Sequence, residues 1–179
     1  MHLLCDPFLE AGHQAGRGDV KRDEPRSSSI RIIGLGNELR GDDAVGLLVA
    51  RRLRQEVGDR TEVIEAEMVG VDLIALMEGA RVTILIDAAR SGQSPGTIHR
   101  LDASAGPIAL QIFPHSSHVL GISEALELAR VMGVLPPRVI VYGIEAGNTE
   151  AGQALSSPVA NALDKVVGQI IQECETCYA

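Results

Sequence analysis

Five short runs of aliphatic and β-branched residues alternate with longer segments in which apolar positions recur every three or four residues. The runs that start at Ile30, Val82 and Val139 are typical of strands buried inside a sheet, because both faces of such strands are apolar, and the segment over 61–66 predicts a further strand. The run over 82–86 ends at Asp87 and is the clearest central strand, whereas the run over 97–101 is weaker and predicts a strand near an edge. The predicted strands are Ile30–Leu35, Thr61–Ala66, 82–86, 97–101 and 139–144.

The intervening segments predict helices with one apolar face. The first helix starts near Asp42, whose side chain is a candidate N-cap, and a short apolar helix follows over 72–77. The last helix starts at Ser156, Ser157 and Pro158, which supply a hydroxyl cap and a first-turn proline. The apolar faces comprise Val45, Leu48, Val49 and Leu53 in the first helix, Ile122, Leu126, Ala129 and Met132 in the helix over 119–132, and Val159, Leu163, Val166, Val167, Ile170 and Ile171 in the last.

The resulting order β, α, β, α, β, β, α, β, α predicts an α/β protein with a mainly parallel, twisted sheet of about five strands and helices on both faces. The 179 residues suffice for one such three-layer domain. Residues 1–28 lack sustained periodicity and end in a serine run, so we expect a flexible N-terminal extension followed by one domain over 29–179.

Charge and composition argue against some classes of binding partner. The chain has a net charge of −8, and only 2% of its residues are aromatic. These features argue against nucleic acid or an anionic membrane as the main partner, because both attract basic surfaces and bases stack on aromatic rings. No apolar stretch has the length of a membrane span, and residues 1–29 lack a signal-peptide pattern, so we expect a cytoplasmic protein.

The three cysteines do not form a disulfide framework, which fits a reducing compartment. Cys174 and Cys177 form a Cys-x-x-Cys pair at the C-terminal end of the chain, without a second pair or a flanking βαβ pattern. We therefore give a metal or redox role of this pair little weight.

Ligands of open α/β sheets gather beyond the carboxyl ends of the strands, and an unusual glycine-rich segment follows the first strand. It begins with Gly34 and Gly36 like a dinucleotide-binding fingerprint, but Leu39 stands at the position of the third glycine. The segment also carries Asp42 and Asp43, which would repel a phosphate. Asp42 is either a helix cap or a functional residue, whereas Asp43 is the stronger functional candidate.

Two further segments at the same edge carry metal-ligand chemistry. Asp87 ends the most buried predicted strand, where a carboxylate must be paired, hydrogen-bonded or metal-bound. His115 and His118 immediately precede a predicted helix. Asp43, Asp87 and a histidine that converge at one edge of the sheet would form an incomplete set of two oxygens and one imidazole, which suits a divalent ion such as zinc or nickel with exchangeable ligands.

At these residues the sequence resembles the hydrogenase maturation endopeptidases, which trim a C-terminal extension from the large subunit of nickel-iron hydrogenases. The resemblance rests on four segments and spans residues 30 to about 171. They are Gly34-Leu35-Gly36-Asn37 with Gly41-Asp42-Asp43-Ala44-Val45-Gly46, then Ile86-Asp87-Ala88, Ser117-His118-Val119-Leu120-Gly121 and Leu155-Ser156-Ser157-Pro158.

The resemblance implies that Asp43, Asp87 and His118 are the metal-contacting and catalytic residues, while His115 matches no ligand position. It implies an endopeptidase whose partner is a hydrogenase large-subunit precursor, and whose recognition mark is the nickel that the precursor carries. Other divalent ions fit the same donor set. Because recognition of one precursor needs no second copy of the chain, we expect a monomer.

Two other functions remain open from the residues. One is a non-catalytic, metal-binding hydrogenase assembly factor, since a fold and a set of ligands do not by themselves establish turnover. The other is a Rossmann-like nucleotide-binding enzyme, for which Glu65 or Glu67 would be the ribose contact, but the missing third glycine argues against it.

Overall fold

A computed structural model of the chain describes residues 30–67, 70–108 and 121–178. The predicted N-terminal extension over 1–28 lies outside these residues. The described part forms a single α/β domain in the predicted order of elements. In chain order the elements are β1 (Ile30–Leu35), α1 (Val45–Glu56), β2 (Thr61–Ala66), α2 (Val71–Met77), β3 (Val82–Ala89), β4 (Ile98–Asp102), α3 (Ile122–Val131), β5 (Arg138–Glu145) and α4 (Ser157–Tyr178).

The five strands form one sheet in the order β2-β1-β3-β5-β4. All neighbours pair in parallel except β4, which pairs antiparallel with β5 at the edge. The predicted mainly parallel sheet and the edge position of the weakest strand are therefore confirmed. The carboxyl ends of β1, β3 and β5 lie side by side, so the loops that follow these three strands share one edge of the sheet.

Helices cover both faces of the sheet, which confirms the three-layer prediction. The helices α1 and α4 pack on one face against isoleucines of β1, β3 and β5, and α2 and α3 pack on the other. Nearly all buried core side chains are aliphatic, as the low aromatic content requires. Within the described ranges, none of the helices combines the length and hydrophobicity that a membrane span requires.

Several predicted boundaries were wrong by one residue, as in α2, β4 and β5. Three other differences bear on the candidate site or on a predicted apolar face. The strand β3 continues through Asp87 to Ala89, because its backbone keeps pairing with β5 as far as Glu145. A 3-10 turn, Gly41–Ala44, precedes α1, so the helix proper begins at Val45. The helix α3 ends at Val131, and Met132, which was predicted to lie on its apolar face, is 58% exposed.

Candidate functional site

Asp43 lies in the 3-10 turn that follows β1. Its backbone N–H donates to the Arg40 carbonyl at 3.1 Å, and its carbonyl accepts from the Asn37 N–H at 3.3 Å, so the turn is closed against the end of β1. Burial raises the pKa of the Asp43 carboxyl above its ordinary value, although the charges of Arg40 and Arg90 and a hydrogen bond from the Asn37 N–H pull it down. The Asp43 carboxylate is therefore only partly compensated by its surroundings.

Asp87 lies near the carboxyl end of β3, where its backbone is paired with Gly143 of β5. Burial raises its pKa to about 7, a hydrogen bond from the Ala88 N–H at 2.8 Å opposes the rise, and the negative charge of Asp43 adds to it. The two carboxylates are thus close enough for one to affect the protonation of the other. A divalent cation would relieve this repulsion, so the pair fits the chemistry predicted for it.

The predicted histidines, His115 and His118, lie outside the described residues. Within residues 30–67, 70–108 and 121–178, no group of three or more histidine, cysteine, aspartate or glutamate side chains is arranged to hold a metal ion. A metal site that includes Asp43 and Asp87 would therefore need a third protein donor from outside the described residues or from a partner.

Asp42, next to the site, has a different role from the one the sequence indicated. Its fully buried carboxylate accepts hydrogen bonds from the N–H groups of Gly147 and Asn148, both at 2.8 Å, and from the N–H and hydroxyl of Ser156, at 2.6 and 2.9 Å. Of the two roles left open for Asp42, the helix cap was wrong, because Ala44 precedes α1 and no side chain caps that helix. The hydroxyl of Ser156, one of the residues predicted to cap the last helix, also donates to Asp42.

Burial by itself would raise the pKa of Asp42, but the hydrogen bonds from Asn148, Ser156 and Gly147 outweigh it and lower the pKa below its ordinary value. Asp42 therefore remains ionised at neutral pH. It holds the loop after β5 and the start of α4 against the turn that carries Asp43. The two adjacent aspartates differ in their surroundings: hydrogen bonds lower the pKa of Asp42, whereas burial raises the pKa of Asp43.

The glycines of this segment allow its close packing. A Cβ atom at Gly34 would overlap the Gly46 carbonyl oxygen, and one at Gly36, whose φ is +138°, would overlap the Asp43 carbonyl oxygen. The Gly-x-Gly pattern thus brings the turn of Asp43 against β1. Both glycines are therefore required by contacts with the chain's own backbone, so the Gly-x-Gly pattern is explained without a bound nucleotide.

Sequence reasoning missed Glu145, which is 2% exposed at the end of β5. Its carboxylate accepts from the N–H and hydroxyl of Ser91 and from the N–H groups of Gly92 and Gln93, and lies 3.1 Å from the His99 Nε2. Ser91 and Glu145 both contact the same ring nitrogen of His99, so this is not the arrangement of a serine-histidine-acid triad. The signal was an acid directly after the predicted strand 139–144, the same rule that selected Asp87.

The Cys-x-x-Cys pair lies far from the site. Cys174 and Cys177 are free thiols on α4, and burial raises the pKa of Cys174 to about 12. Since a helix rises 1.5 Å per residue, Cys174 lies roughly 25 Å along α4 from its start near Asp42. Its side chain belongs to the core beneath the helix, so the low weight given to a redox or metal role agrees with its surroundings.

Comparisons with known proteins give the family and the fold of the chain. A family model described as hydrogenase maturation protease matches residues 47–173, which include Asp87 and begin four residues after Asp43. The chain is 27% identical over 145 residues to the hydrogenase 2 maturation protease of Escherichia coli, covering 79% of this chain and 88% of that protein. It is 24% identical over 147 residues to the hydrogenase expression/formation protein HupD of Rhodobacter capsulatus, covering 80% and 70%.

The fold is similar to that of the hydrogenase-maturating endopeptidase HybD of Escherichia coli, with a TM-score of 0.71, 24% identity, and coverage of 82% of this chain and 92% of the other. The five-stranded sheet with helices on both faces is therefore the architecture of that protein. Since the family model covers well over half of the sequence, the chain belongs to the hydrogenase maturation protease family.

Proposed function

We propose that this chain is an endopeptidase that removes the C-terminal extension from the nickel-loaded large-subunit precursor of a nickel-iron hydrogenase, with the precursor's nickel as its recognition mark. Family membership supports peptidase activity and a hydrogenase precursor as the class of substrate. The observation that carries the proposal is the pair of partly compensated carboxylates, Asp43 and Asp87, at the carboxyl edge of the sheet.

In this proposal Asp43, Asp87 and His118 contact the precursor's nickel. Ionising two neighbouring carboxyl groups in a partly desolvated site costs free energy, and a divalent cation bound between them offsets that cost. The imidazole of His118 adds a nitrogen donor of the kind that nickel accepts. Three ligands leave the coordination incomplete, so the site binds an ion weakly until the precursor supplies the ion and its remaining ligands.

Contact with the nickel then orients the scissile peptide against Asp43 and Asp87, which converts recognition into positioning. Hydrolysis requires a water molecule that loses a proton as it attacks the peptide carbonyl. Either polarisation by the nickel activates that water, or a carboxylate oxygen of Asp43 or Asp87 accepts its proton. We further propose that the protein works in the cytoplasm as a monomer, without nucleic acid or membrane as a partner.

The test is intact-mass spectrometry of a hydrogenase large-subunit precursor incubated with this chain, with and without nickel loading. Loss of a C-terminal peptide from the nickel-loaded sample alone is the expected result. Asp43→Asn, Asp87→Asn and His118→Ala should each abolish this loss, whereas Asp164→Asn, at an exposed position of α4, should not. A precursor that binds the protein but keeps its mass would instead indicate a non-catalytic assembly factor.

A further inference from the structure

An open cleft of about 500 Å³ lies between the loop that follows β3 and the loop that follows β5. Its lining includes Arg90, Gly92, Gln93, Asn148, Thr149 and Glu150. The cleft lies beside the candidate site, because the charge of Arg90 acts on Asp43. In addition, Arg40, whose carbonyl accepts from the Asp43 N–H, donates its Nε–H to the Thr149 carbonyl at 3.4 Å. The volume of the cleft falls within the usual range of ligand sites.

Both walls of the cleft are held by buried carboxylates. Glu145 accepts three backbone N–H groups of the 91–93 segment, at 2.8 to 3.2 Å, and the Ser91 hydroxyl. Asp42 accepts the N–H groups of Gly147 and Asn148 in the opposite wall. Because these contacts hold the walls before any ligand arrives, binding to the cleft does not have to order them.

Arg90 is the one cationic side chain among the described residues that line the cleft, which also include the carboxylates of Glu145 and Glu150. The whole chain carries a net charge of −8, yet Arg40 and Arg90 are exposed and both act on Asp43. Most arginines of the domain pair with carboxylates, as Arg51 and Arg54 do with Glu65. By contrast, neither Arg40 nor Arg90 forms a salt bridge with any carboxylate in the described part of the chain. Since Arg40 donates to the Thr149 carbonyl, Arg90 is the guanidinium that the described contacts leave for a carboxylate from outside.

We propose that this cleft binds the stretch of the precursor's polypeptide next to the scissile bond, and that Arg90 pairs with a carboxylate of that stretch. The inference rests on the proposed function, since it assigns the substrate's path at the same site. A peptide whose scissile bond lies at Asp43 and Asp87 has to extend away from these residues, and the cleft beside them is one path for it. The polar residues that line the cleft offer hydrogen-bonding groups to such a peptide. Arginine suits the role because its planar fork binds a carboxylate through two hydrogen bonds.

The same strand provides a matched control for Arg90. Arg81 and Arg90 directly precede and follow β3, are both exposed, and therefore lie at opposite edges of the sheet. We expect Arg90→Gln to raise KM for the nickel-loaded precursor about tenfold, with kcat changed less than about twofold. Arg81→Gln should change neither constant, and Arg90→Lys should recover part of the loss. Equal thermal unfolding midpoints for these variants would show that the fold is retained.

Two results would overturn the proposal. One is an unchanged KM for Arg90→Gln on a precursor that the wild-type protein cleaves. The other is a change in kcat and in its pH profile at constant KM, which would mean that Arg90 acts only through the charge of Asp43. If the wild-type protein does not cleave the loaded precursor at all, the proposed function itself fails, so the two failures are distinguishable.

The carboxylate can be an acidic side chain near the bond or the free carboxyl terminus of the precursor. Precursors in which the acidic side chains near the bond are changed to amides, and a precursor with an amidated C-terminus, separate these sources. If Arg90 pairs with the carboxylate that one of these precursors lacks, Arg90→Gln should cause no further rise in KM for that precursor, as in a double-mutant cycle. An identical tenfold effect on every precursor would contradict carboxylate pairing.

Discussion

Replacement of Asp42 by alanine tests whether this residue anchors the loop after β5 or caps a helix. The substitution removes one buried carboxylate and leaves the N–H groups of Gly147 and Asn148, and both the N–H and hydroxyl of Ser156, without their acceptor. Its partners lie 105 to 114 residues away in the sequence, so their loss disconnects the start of α4 from the turn that carries Asp43.

The two interpretations of Asp42 differ in the size of the effect. Removal of a helix N-cap costs about 1 kcal/mol. A hydrogen bond to a charged group contributes about 1.5 to 3 kcal/mol, and a donor left without a partner in the interior costs a similar amount. Because the loop can relax and admit water to some of the four donors, we expect Asp42→Ala to lower the free energy of unfolding by about 3 to 5 kcal/mol at neutral pH.

Urea unfolding followed by circular dichroism at pH 7 and pH 3 measures this effect. Since the pKa of Asp42 is lowered in the folded protein, its stabilisation is complete above the ordinary pKa of 3.8 and is lost as the pH falls through the folded value. The difference between wild type and Asp42→Ala should therefore shrink at pH 3. Asp164→Asn, at an exposed position, should change the free energy by less than about 0.5 kcal/mol. A loss of only about 1 kcal/mol for Asp42→Ala would refute the anchoring role.

Two further substitutions test the site and its support. Asp87→Asn should stabilise the metal-free protein by up to about 4 kcal/mol at pH 8 and have little effect at pH 4. The reason is that the pKa of Asp87 is raised to about 7 in the folded protein, so its ionisation destabilises the fold as the pH rises from about 4 to about 7. Urea unfolding with a chelator present measures this effect, and a destabilised variant at pH 8 would contradict it. Gly46→Ala should destabilise the fold by more than about 2 kcal/mol, because its Cβ would overlap the carbonyl oxygens of Leu35 and Ile86, whereas Gly168→Ala in α4 meets open space and should be neutral or slightly stabilising in the same assay.

The sequence predicted the fold where local pattern and tertiary structure agree. The bounds of β1 and β2 match the predicted strands, and the two strands pair along their whole lengths. The end of β3 was missed because Asp87 looks like a terminator locally, while the ladder with β5 continues beyond it. Pairing with a neighbouring strand, which no local pattern contains, outweighed the polar side chain.

The candidate site was predictable in part for the same reason. The rule on carboxyl ends predicts that Asp43 and Asp87 lie at the same edge of the sheet, even though β3 extends past Asp87. The role of Asp42 could not be predicted, because a buried acid before a helix has the same local signature whether it caps that helix or binds a distant loop. Arg90 was not selected either, since an arginine after a strand is ordinary until the fold places it beside Asp43.

Hydrogen bonding separates the carboxylates at this edge of the sheet into two kinds. Asp42 and Glu145 each accept several donors, and these lower both pKa values against the opposing effect of burial. Among the described residues, a hydrogen bond from one backbone N–H lowers the pKa of each of Asp43 and Asp87, but burial outweighs it and raises both. A bound cation would offset the cost of ionising two neighbouring acids. This difference between the pairs supports the proposed division of roles, in which Asp42 and Glu145 hold the loops and Asp43 and Asp87 contact the precursor's metal.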